Sequence, residues 1–94
     1  MAQIDANRLI VTRCEGLIEA EVGGELMGLN IANGTCYGFN PTATRVWQII
    51  ERPRTLAEIC AVLTREFSVD AATCEAEVRA LLDDLAGDGI VRLS

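Results

Sequence analysis

The chain has 94 residues, half of them apolar, with 8 basic against 14 acidic side chains and a formal charge of −6. That length makes one domain, residues 1–94, and leaves no room for a second. No apolar run reaches the ~18–20 residues of a membrane span, and the acidic balance repels the phosphates of a nucleic acid.

Leu9 to Thr12 is read as a first short extended segment. From Leu17 to Val22 the order L-I-E-A-E-V alternates, with Ile18, Ala20 and Val22 on one face and Glu19 and Glu21 on the other. Gly23-Gly24 can turn the chain in two residues, and Glu25 to Ile31 returns with Leu26 and either Leu29 or Ile31 inward. Asn33-Gly34 suits a second two-residue turn, and Thr35 to Phe39 makes the third strand of a meander whose outer strands are edges. Asn40-Pro41 supplies a cap and a residue fixed in helical φ. The helix that follows carries Ala43, Val46, Trp47 and Ile50 at helical spacing and stops at Pro53.

Thr55 and Glu58 form a capping-box pattern, after which Leu56, Ile59, Cys60, Leu63 and Phe67 share one stripe. Asp70 caps the third helix, whose apolar face is Cys74, Val78, Leu81, Leu82 and Leu85 before Gly87 and Gly89 end it. Ile90 to Leu93 is a last extended segment. The fold class is therefore α+β: a three-stranded antiparallel sheet followed by three helices, in a winged helix-turn-helix-like layout.

That layout suggests DNA, and charge argues against it. The eight cations are spread along the chain, and the helix from Thr55 to Ser68 offers Arg65 alone against Glu58 and Glu66. An acidic winged-helix transcription regulator or protein-protein interaction module stands as the alternative reading. Catalysis finds no support: there is no histidine, and no spacing sets a Ser or Cys nucleophile beside a base. Cys14, Cys36, Cys60 and Cys74 form no C-x-x-C pair, so no metal or cofactor is expected. Reduced packing thiols fit a cytoplasmic chain, and M-A-Q-I-D-A-N-R at the start does not read as a secretory signal.

The stretch Gly34, Tyr37, Phe39, Asn40 resembles the Gly-x-x-Tyr-x-Leu/Phe-Asn strand of the PqqD-like family, the peptide-recognition elements of ribosomal natural-product pathways. The hairpin E-A-E-V-G-G-E-L-M-G-L-N precedes it. Val46-Trp47, the Thr-led helix Thr55 to Ile59, and Leu81, Leu82, Leu85 with Gly89-Ile90 follow in the family's order, covering nearly the whole chain. The resemblance implies a non-catalytic adaptor that binds the leader peptide of a precursor as an added strand, between the third strand and the third helix. It also implies separate processing enzymes: in a lasso-peptide pathway, a leader peptidase and a cyclase. The adaptor itself is expected to be a monomer, with no nucleic-acid or membrane partner.

On that reading the backbone of Thr35, Cys36, Tyr37, Gly38 and Phe39 pairs with the leader. The opposite wall is the stripe Cys74, Val78, Leu81 and Leu85, with Glu77 and Asp84 at its acidic rim. A one-residue shift of register exchanges Cys36 and Tyr37 between faces, so both are candidates.

Overall fold

A computed structural model describes residues 7–94; the N-terminal stretch read for a secretory signal lies largely outside them. Six strands and three helices follow in the order β1 (Ile10–Arg13), β2 (Leu17–Val22), β3 (Glu25–Asn30), β4 (Thr35–Phe39), α1 (Pro41–Ile49), β5 (Arg54–Thr55), α2 (Leu56–Phe67), α3 (Ala71–Gly87) and β6 (Val91–Leu93). They make two antiparallel sheets, the meander β2-β3-β4 and a second sheet ordered β5-β1-β6. The meander and the three helices are those the sequence predicts. The second sheet adds what local patterns do not carry: β1 pairs with β5 through Ile10↔Thr55 and with β6 through Val11↔Leu93, partners far away in the chain.

The turn at Gly23-Gly24 has two residues, both at positive φ (62° and 85°), which matches the twist of the flanking strands. The second turn differs from the expected two-residue form. Asn30 pairs with Thr35, so four residues intervene. Gly34 takes φ 71° and donates its N–H to the Asn30 carbonyl at 2.8 Å, while Asn33 Oδ1 accepts from the Thr35 N–H at 2.9 Å. Asn33 thus works through its side chain as an Asx turn, without entering the left-handed region.

All three helix starts carry their caps: Asn40 Oδ1 accepts from the Ala43 N–H, Thr55 and Glu58 close a capping box, and Asp70 Oδ1 accepts from the Thr73 N–H. α1 ends at Ile49, one turn before Pro53, so Ile50 reaches the core as the C-cap residue. Val46, Trp47, Leu56, Ile59, Leu63, Val78, Leu82 and Ile90 form the centre of the core, with Val11 entering from the second sheet. Phe67, expected on the buried stripe of α2, is exposed.

Candidate functional site

In the meander, the cross-strand pairs Leu26↔Phe39, Gly28↔Tyr37 and Asn30↔Thr35 share one face, and Met27↔Gly38 and Leu29↔Cys36 share the other. Burial decides which face meets the core. Leu26, Gly28, Asn30 and Phe39 are buried and Tyr37 half-buried, whereas Met27, Leu29, Cys36 and Gly38 are exposed. Tyr37 therefore faces the helices and Cys36 faces away from them. Leu29 and Ile31, one of which was expected inward, are both exposed.

β4 is fixed at both ends. Phe39 meets Trp47 edge-on, with ring centroids 5.9 Å apart, and the indole in turn lies under the Arg13 guanidinium, 4.2 Å from the ring centroid. Arg13 Nε also donates to the Trp47 carbonyl at 3.1 Å, which ties β1 to α1. At the other end, Asn30 Nδ2 donates to the Asp88 carbonyl at 3.0 Å, fixing the end of β3 to the end of α3. β4 pairs only with β3 among the described residues, and its other edge is open. A strand in that position turns alternate N–H and C=O groups outward, able to hydrogen-bond an added chain.

On α3, Cys74, Val78 and Leu85 lie in the core, while Leu81 is half-buried against it and Glu77 and Asp84 are exposed. The stripe Glu77, Leu81, Asp84 advances by helical spacing towards Asp88, where Asn30 makes its bond. Of the residues singled out in the sequence, the accessible ones are therefore Thr35, Cys36, Gly38, Glu77 and Asp84, with Tyr37 and Leu81 half-accessible. Phe39, Cys74, Val78 and Leu85 support from beneath. The Tyr37 hydroxyl is buried without a hydrogen-bond partner among the described residues. Sequence reasoning missed Asn30, the buried polar residue that sets β3 against α3.

Cys60 is half-buried on α2 beside the buried Cys74 of α3. Burial, with the neighbouring Cys74 thiol and Glu75, pushes the Cys60 thiol up to about 12. A thiol so protonated at neutral pH is a poor nucleophile. Among the described residues, no three His, Cys, Asp or Glu side chains converge on a metal position.

The cations are less scattered in space than along the chain. Arg45, Arg52 and Arg54 border a 560 Å³ cleft between α1 and α2. Carboxylates answer them: Glu66 accepts two of the three Arg45 bonds, each at 2.8 Å, Glu58 stands 3.8 Å from Arg54, and Glu51 lines the same wall.

These features define a class: a winged-helix-like α+β domain whose meander ends in a strand, β4, that pairs on one side only among the described residues. Within that class the chain belongs to the PqqD family, whose model, described as coenzyme PQQ synthesis protein D, matches residues 25–91. Two solved structures share the fold. One, described as TbiB1 in complex with the TbiA(beta) leader peptide, is 26% identical with a TM-score of 0.79, over 86% of this chain and 94% of that one. The other, described as lasso peptide synthetase B1 complexed with the leader peptide, is 21% identical with a TM-score of 0.78, over 87% and 96%. No curated protein matches the chain.

Proposed function

We propose that this domain is a non-catalytic adaptor for the leader peptide of a ribosomally made precursor in a lasso-peptide pathway. It adds the leader as a strand to β4, against α3, and hands the precursor to a separate leader peptidase and cyclase. The observation that carries this reading is the open edge of β4 in a fold shared, at 26% identity, with a protein described in complex with a leader peptide.

Backbone pairing along residues 35–39 supplies affinity that depends little on leader sequence. Specificity comes from the inward side, where a leader side chain would rest between Tyr37 and Leu81, and from Glu77 and Asp84, which suit a leader carrying Lys or Arg.

Hydrogen exchange with and without a saturating leader peptide tests the geometry. Amides within residues 35–39 are expected to slow on binding, and binding without that slowing would refute strand addition. Titration of a labelled leader tests the side chains. Leu81→Asp should cost at least about tenfold in affinity by placing a charge against an apolar anchor, and Tyr37→Ala should weaken binding more mildly. An unchanged titration by folded Leu81→Asp would move the site away from α3.

A further inference from the structure

The cleft between α1 and α2 joins apolar and charged lining. Its apolar part is Ile49 and Val62, both half-buried, with the exposed Ala61. Three of the chain's eight basic side chains meet here with two of its fourteen acidic ones, which leaves five against twelve elsewhere. The cleft is a locally positive spot on an acidic protein.

Its three arginines are not equally committed. Arg45 is held by two 2.8 Å bonds to Glu66, and Arg54 stands 3.8 Å from Glu58 in an exposed pair of little strength. Arg52, three residues past the end of α1, is exposed and makes no hydrogen bond or ion pair among the described residues. A guanidinium left unspent beside aliphatic side chains suits a carboxylate carried on an apolar segment.

Position indicates which partner such a surface serves. No lining residue of the cleft belongs to β4 or α3, so a leader docked between those two leaves it uncovered. Cleavage separates the core from the docked leader, and an enzyme that acts on the released core gains nothing more from the leader. Only a hold on the adaptor itself keeps that enzyme at high effective concentration near the cut.

We infer that the cleft between α1 and α2 holds the ring-closing enzyme, through a segment that sets an Asp or Glu against Arg52 and an aliphatic side chain against Ile49 and Val62; the inference rests on the adaptor role proposed above. The contact is independent of the leader. Empty and loaded adaptor bind the enzyme alike, and by linkage the enzyme leaves leader affinity unchanged. The attraction between exposed charges weakens as salt is raised.

The test uses the full chain with the precursor, leader peptidase and cyclase of the same pathway, and the variants Arg52→Glu, Arg52→Lys and Ala61→Glu. Arg92→Glu, at an exposed position of β6, repeats the charge reversal of Arg52→Glu as a control. Cyclase association is read by sedimentation, leader affinity by fluorescence anisotropy, and cleavage and ring closure by initial rates at subsaturating adaptor. The expected result is about tenfold weaker cyclase binding, with slower ring closure, for Arg52→Glu and Ala61→Glu, and little change for Arg52→Lys. Arg92→Glu should change nothing, and leader affinity and cleavage should hold in every variant. Cyclase binding that Arg52→Glu and Ala61→Glu leave intact, or that Arg92→Glu weakens as much, would overturn the inference. So would a cyclase that does not bind the wild-type adaptor, or binds it only when a leader is present. A cleavage rate that falls with ring closure would assign the cleft to the peptidase, and a wild-type dimer that Arg52→Glu dissociates would assign it to a second copy; either result overturns it too. If the wild-type chain binds no leader, the adaptor reading fails instead, and this inference falls with it.

Discussion

Asn30 shows how one residue sets the site. Its side chain donates to the Asp88 carbonyl and accepts from the Ala32 N–H, both at 3.0 Å, bridging positions 58 apart in the chain. Removing it leaves a carbonyl and an amide without their partner at a part-buried position. Asn30→Ala is therefore expected to lower stability by about 1–3 kcal/mol in urea denaturation, and to weaken leader binding by loosening β4 from α3. A variant with wild-type stability would show that water replaces the tie at no cost. In the sequence Asn30 is only the penultimate residue of the run E-L-M-G-L-N-I, and nothing nearby marks a partner at the end of the last helix. The choice between Cys36 and Tyr37 was illegible for a related reason. Strand alternation gives two faces, and only packing against the helices says which is inward.

At the scale of elements, what was local was readable. The caps at Asn40, Thr55 and Asp70 depend on groups three residues apart, and the Gly23-Gly24 hairpin on φ alone, so the sequence carries them whole. The sheet β5-β1-β6 depends on pairings between distant segments, one of them a two-residue strand, which leaves no local periodicity to read. The α2 box also fixes a pH dependence. The Thr55 N–H and hydroxyl hold the Glu58 carboxyl below its ordinary value, the Arg45 guanidinium does the same for Glu66, and Thr73 does so for Asp70. A carboxylate whose value is lowered on folding favours the folded chain above its unfolded value, and that contribution drains away as pH falls through the lowered one. Denaturation midpoints should thus hold above the carboxylate range near pH 4 as far as these groups are concerned, and fall below it. Thr55→Ala should cost about 1 kcal/mol at neutral pH, and less at low pH, as Glu58 loses its charge. An equal cost at both pH values would show that the Glu58 half of the box contributes nothing.

For the whole molecule, one core serves two sheets with separate tasks. The β5-β1-β6 sheet closes over the helices through Val11 and Val91, while the meander meets them through Leu26, Phe39 and Asn30 and turns its other face to solvent. The acidic balance read from composition argues against a phosphate partner, and Arg45, Arg52 and Arg54 line the cleft between α1 and α2 with carboxylates nearby. Composition could not show that the apolar half of the β2 alternation faces outward, because alternation carries no sign. The same meander has a second open edge at β2. A sheet able to take a strand at one end and offer one at the other is a unit of a filament, each copy's β2 entering the next copy's β4. Glu19 and Glu21 stand on the inward side of β2, so such an entry would carry them towards Glu77 and Asp84. On the proposed strand addition, the acidity that would suit a basic guest would also turn away the chain's own strand and leave β4 open. Glu19→Lys with Glu21→Lys should lift that veto, giving concentration-dependent association in sedimentation at low salt while the parent remains one species. Identical sedimentation of the two would mean that shape alone keeps the edges apart.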